Sequence, residues 1–145
     1  MSLPQKQVLQ PDTTYPPVVP QSQPGDTVAI QVSVTPQKKV TPEGEIIILG
    51  YVQHSEVEVI FKRDQSIMPL LHALYQIIQA ARRRSAETGK PMPHVSYLRC
   101  PLHVEGKWRV KVDVDDDEMP IRRYQLLATN WRLKRAKLTK GPGPN

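Results

Sequence analysis

Apolar and polar residues alternate along several stretches of this chain and recur at helical spacing in two others. In residues 27–34, Val28, Ile30, Val32 and Val34 share one face, the pattern of a half-buried strand. Residues 45–52 are apolar on both faces through Ile46, Ile47, Ile48 and Leu49, which predicts a central strand, with Gly50 marking a bulge. Residues 55–62 alternate again, Val57, Val59 and Phe61 against Glu56 and Glu58, and Gln53-His54 is the expected turn between the two strands. Between the first and second strands, Pro36, Pro42 and Gly44 predict a loop over residues 35–44.

Helical spacing follows. Ile67, Leu70, Leu71, Leu74, Ile77, Ile78 and Ala81 form one continuous apolar stripe. Ser66 is the expected N-cap, Gly89 the expected C-terminal stop, and Pro91 and Pro93 bar continuation. Residues 94–104 and 107–114 then predict a hairpin turning at Glu105-Gly106. In its second strand Trp108, Val110, Val112 and Val114 lie opposite Lys107, Arg109, Lys111 and Asp113. Ile121, Tyr124, Leu127, Ala128 and Trp131 then suggest a second helix after the acidic run 115–118, with residues 131–138 open between helix and strand. The expected order is β-β-β-α-β-β-α. This is an α+β fold, an antiparallel sheet of about five strands with two helices packed on one face.

Composition adds the flanks. Six of the fifteen prolines fall in the first 24 residues among Gln, Ser and Thr. Such a stretch buries too little apolar surface to offset its ordering entropy. Residues 1–26 are therefore expected to be an extended or disordered arm, 27–138 a compact basic domain and 139–145 a flexible tail. Tyr15, Pro16 and Pro17 favour polyproline geometry and are the expected partner-docking residues of the arm. One cysteine, Cys100, rules out an intrachain disulfide, so a reducing compartment is the default. The first ten residues have no signal-peptide core, and the longest apolar run is far short of a membrane span. The expectation is an intracellular protein, soluble or peripheral.

Charge is what changes the functional picture. Residues 1–61 carry a net −3 and residues 62–145 a net +9, within +6 for the whole chain. The cations cluster as Arg82, Arg83 and Arg84 with Lys90, as the strand row Lys107, Arg109 and Lys111, and as Arg132, Lys134, Arg135 and Lys137. Cations two residues apart on a strand stand about 7 Å apart, a spacing suited to successive phosphates. These eleven residues are the expected polyanion-binding set. Catalytic and metal chemistry finds little support. Residues 113–118 fail the calcium-loop pattern, with Glu118 where glycine is needed and Tyr124 where a bidentate Glu is needed. His94, Cys100 and His103 do not make the paired short spacings of structural zinc. There is no P-loop, dinucleotide fingerprint, zinc-protease motif or nucleophile elbow. No cofactor or metal is expected.

The function these residues favour is a non-catalytic, basic subunit of a nucleic-acid-containing assembly, touching phosphate backbone, with RNA preferred over DNA. A homo-oligomer or assembly subunit is expected, with protein partners reached through the arm. The alternatives are a viral matrix or coat-type protein on an anionic membrane surface, and a protein–protein adaptor docking through the helix.

Overall fold

The computed structural model describes residues 22–134. Three strands come first: β1 (Thr27–Val40), β2 (Ile46–Val52) and β3 (Ser55–Phe61). Helix α1 (Met68–Thr88) and a short 3-10 turn (Val95–Tyr97) follow, then β4 (Cys100–Val114) and β5 (Pro120–Leu133). The strands close into a barrel in the order β1-β2-β3-β5-β4, with β4 returning to β1. Neighbours are antiparallel except β3 and β5, which run parallel. A five-stranded Greek-key barrel in this order, with its helix between the third and fourth strands, is the OB fold.

Alternation fills the barrel. Val32, Val34, Ile48, Val57, Val59, Phe61, Leu102, Val104, Trp108 and Leu126 point inward and are buried. Phe61 meets Trp131 edge to face at 6.2 Å between ring centroids. Helix α1 adds Leu70, Leu74 and Ala81 from its apolar stripe. It ends as expected at Gly89, in the left-handed region at φ 74°, whose N–H donates to the Ser85 carbonyl. Its start differs: Ile67, not Ser66, is the N-cap, and no side chain caps it. No helix among the described residues is long and apolar enough to cross a membrane.

The closed barrel with one helix corrects the expected open sheet with two helices on one face. The second helix is strand β5. Tyr124, Leu126 and Ala128 share the inner face, but the pairing with β4 then slips. Gly106 stands opposite Ala128 while Glu105 stands opposite Asn130, leaving Thr129 as an extra residue. Inward alternation resumes at Trp131 and Leu133, opposite Val104 and Leu102. A bulge shifts the period-two phase by one residue, and that shift makes positions 121, 124, 128 and 131 imitate a helical stripe.

The same bulge explains why β4 does not turn at Glu105-Gly106. Gly106 is there for close approach: a Cβ on it would lie 2.1 Å from the Leu127 carbonyl oxygen. The expected loop 35–44 is also largely strand, since β1 runs on to Val40. Its register with β2 shifts between Val34 and Lys38, so Pro36 sits where the ladder asks for no N–H. The buried Thr35 hydroxyl donates to the Leu49 carbonyl at 3.0 Å and satisfies it there. The Gln53-His54 turn is present, with Gln53 at φ 57°.

Candidate functional site

With Ile48 and Gly50 turned inward, β2 shows Ile47, Leu49 and Tyr51 to the outside. Likewise Val57 and Val59 inside place Glu56 and Glu58 outside on β3. These two outer faces form the floor of a cleft of about 330 Å³. Gln37, Lys38 and Lys39 of β1 wall it on one side, and residues 121–124 at the start of β5 wall it on the other. Four cations, Lys38, Lys39, Arg122 and Arg123, thus meet two carboxylates, Glu56 and Glu58, over an apolar floor of Ile47 and Leu49.

A hydrogen-bonded network holds this face together. Glu58 is only 9% exposed, and a buried carboxylate needs partners. Gln125 Nε2 donates to Glu58 Oε1 at 2.8 Å. Arg123 and Lys39 approach Oε2 at 3.7 and 3.9 Å. Arg123 Nε also donates to Asp113 Oδ2 at 2.9 Å, and Arg109 Nε donates to Gln125 Oε1 at 2.8 Å. Strands β1, β3, β5 and β4 are therefore tied across their outer faces. Glu58 is matched locally, which leaves the cleft with an excess of positive charge at its walls.

The sequence-derived candidates scatter. Lys107, Arg109 and Lys111 lie along the outer face of β4; Lys111 stands opposite Arg123 of the cleft wall, while Arg109 is opposite Gln125 and Lys107 opposite Leu127, beyond it. Arg82, Arg83 and Arg84 are exposed near the C-terminal end of α1, followed by exposed Lys90. None of these four lines the cleft. Arg132 and Lys134 belong to a different part of the barrel wall. Arg132 is opposite His103, and Lys134 Nζ donates to Gln31 Oε1 at 2.9 Å. Arg135 and Lys137, and Tyr15, Pro16 and Pro17 of the arm, lie outside the described residues.

Sequence reasoning missed all four cations of the cleft. Their signal was two dibasic pairs, Lys38-Lys39 and Arg122-Arg123, each beside a hairpin turn. Reading the first as loop and the second as helix hid that both reach one face.

The acidic run occupies the β4–β5 turn rather than a helix N-terminus. Asp115 Oδ1 accepts the N–H groups of Asp117 and Met119 at 2.9 and 2.8 Å. Among the described residues no three His, Cys, Asp or Glu side chains gather as a metal set. Cys100 is buried in the core, and burial pushes its thiol pKa up, away from nucleophilic reactivity.

No family model matches this chain, and no curated protein does. Solved structures do match in backbone. One is a small single-stranded DNA-binding protein from Streptomyces coelicolor, 12% identical, TM-score 0.44, covering 78% of this chain and 97% of that one. Another is a mitochondrial single-stranded DNA-binding protein from S. cerevisiae, 10% identical, TM-score 0.38, covering 77% and 96%.

Proposed function

We propose that this chain binds single-stranded nucleic acid in the cleft across β2 and β3, as a binding protein and not an enzyme. The observation that carries this reading is the convergence of Lys38, Lys39, Arg122 and Arg123 around an apolar floor. In five-stranded barrels of this order, the face of the second and third strands, with the loops flanking it, binds oligonucleotides or oligosaccharides. The four cations, with Lys111 opposite Arg123 on the next strand, favour the polyanion. A cleft of about 330 Å³ is the size of a small-ligand site. A cleft of that size suits single unpaired bases, which is why the single strand is proposed.

Phosphates track the cationic walls while bases lie against Ile47 and Leu49. Aromatic residues are few, five Tyr, two Trp and one Phe in the whole chain, so stacking contributes little and backbone contacts dominate. Tyr51, on the same outer face, already carries the Arg99 guanidinium 4.1 Å from its ring centroid. Phosphate contacts do not read the 2′-hydroxyl, so the proposal covers RNA and DNA alike.

Photocrosslinking tests the site. A bromouracil-substituted single-stranded oligonucleotide, irradiated with the full-length protein and mapped by mass spectrometry, should mark the peptides carrying Lys38-Lys39 and Tyr124. A duplex competitor should displace it poorly. Adducts confined to the Arg82–Arg83–Arg84 region, or equal competition by duplex, would refute the cleft.

A further inference from the structure

One edge of the outer half of β4 has no strand against it among the described residues. β1 pairs with β4 only between Thr27↔Lys107 and Val34↔Cys100. The last bonds on that side tie Trp108 to Asp26 and Gly25, at 3.3 and 2.7 Å. Beyond Trp108, residues 109–114 pair with β5 alone among the described residues. Trp108 directs both its N–H and its C=O to the β1 side. By antiparallel alternation Val110, Val112 and Val114 therefore direct theirs to the open edge, while 109, 111 and 113 direct theirs to β5. The side chains of Val112 and Val114 are 53% and 64% exposed. An edge with open amides and an apolar face is a template for another strand.

The charge order along this edge names the occupant. Arg109 and Lys111 precede Val112, and Asp113 and Asp115 follow it. Laid antiparallel against itself with Val112 at the two-fold axis, the strand places Lys111 opposite Asp113 of the partner subunit, and the reverse. Val110 then meets Val114 of the partner subunit, and every amide facing the edge finds a carbonyl. A slip of two residues either way sets Lys111 against Lys111 of the partner subunit, or Asp113 against Asp113 of the partner subunit. Like charges directly opposite on a sheet are unfavourable, so this edge specifies one register as well as one partner.

We propose that two copies of this chain pair β4 against β4 across residues 110–114, joining their hairpins into one continuous sheet. The interface is isologous, as a two-fold dimer requires. It concerns association of the protein alone and does not depend on the nucleic-acid reading.

The test is sedimentation velocity of the full-length protein without nucleic acid, over a concentration series from about 1 µM to about 500 µM. The native chain should form a concentration-dependent dimer. Val112→Pro should weaken it at least tenfold, since proline removes a donor on the open edge and leaves the β5 ladder intact. Lys111→Asp and Asp113→Lys should each fail to self-associate, yet an equimolar mixture of the two should form a heterodimer. That restoration requires the proposed register and separates it from simple misfolding. A native chain that stays monomeric throughout overturns the proposal. So does a dimer that survives Val112→Pro, and so does dimerisation seen only after residues 1–21 are removed, which would show the arm on the edge instead.

Discussion

Neutralising Lys38 and Arg122 together gives the sharpest measure of the cleft. They stand on opposite walls, Lys38 on β1 and Arg122 on β5. If all four cations each meet one phosphate of a single strand, log K should fall with log[salt] at a slope of about −2.8, at about 0.7 per neutralised phosphate. Lys38→Ala with Arg122→Ala should cut the slope to about −1.4. If the two lines converge near 1 M salt, the double variant is weaker by about sixtyfold at 50 mM and about tenfold at 200 mM. Fluorescence anisotropy with a short labelled oligothymidylate across that range reads both quantities. Native and variant lines that run parallel would refute the reasoning, because affinity would then be lost without loss of phosphate contacts.

Three further outcomes follow from the same geometry. Gly106→Ala should destabilise by about 3 kcal/mol or more, because its Cβ would meet the Leu127 carbonyl oxygen at 2.1 Å with only backbone to give way. Calorimetry should show Tm falling by more than about 10 °C, and a shift under about 3 °C would contradict the close approach. Glu58→Gln removes a carboxylate from the cleft floor while keeping an acceptor for Gln125 Nε2. Oligonucleotide affinity should rise about threefold to fivefold at low salt, and weaker binding would show that Glu58 acts chiefly to position Arg123 and Lys39. Burial raises the Cys100 thiol pKa, so the unfolded chain ionises first as pH climbs past about 8.5. The stability contributed by this group is complete below that pH and declines above it. Urea midpoints of native and Cys100→Val proteins should therefore diverge in slope between about pH 8 and 10, and parallel profiles would remove Cys100 as a cause.

Much of the barrel was written in local pattern. β2, β3, the Gln53-His54 turn and the stripe of α1 all follow from residues whose periodicity nothing interrupts. The errors fell where two strands of different phase meet. The extra residue Thr129 turned β5 into an apparent helix, and Gly106, present for a cross-strand contact, read as a turn glycine. Closure itself is not a local property: the parallel pairing of β3 with β5 joins residues 57–60 to 124–127. The excess of cations in the second half is plain in the sequence, and it raised polyanion binding as an expectation. The cleft was not legible, because two of its cations, Lys38 and Lys39, belong to the acidic half. Side chains distant in sequence were brought together by barrel closure, which composition cannot report.

The parallel contact between β3 and β5 also sets a schedule for folding. The β1–β2–β3 meander and the β4–β5 hairpin are each built from neighbours in sequence, but they join only through contacts of long separation, which form slowly. β3 ends at Phe61 and β5 begins at Pro120. At about 5–20 residues per second, a growing chain leaves the β3 edge uncovered for about 3–12 s. Until then Lys38 and Lys39 belong to one half-barrel and Arg122 and Arg123 to another that has yet to be made. A bound strand that spans both walls can recognise only the finished barrel, so it would act as a clasp, slowing the parting of the two halves. Unfolding rates measured with and without oligothymidylate would register that clasp, and equal rates would deny it. In such a molecule the pairing that joins the two halves is also the one that brings the two cationic walls together.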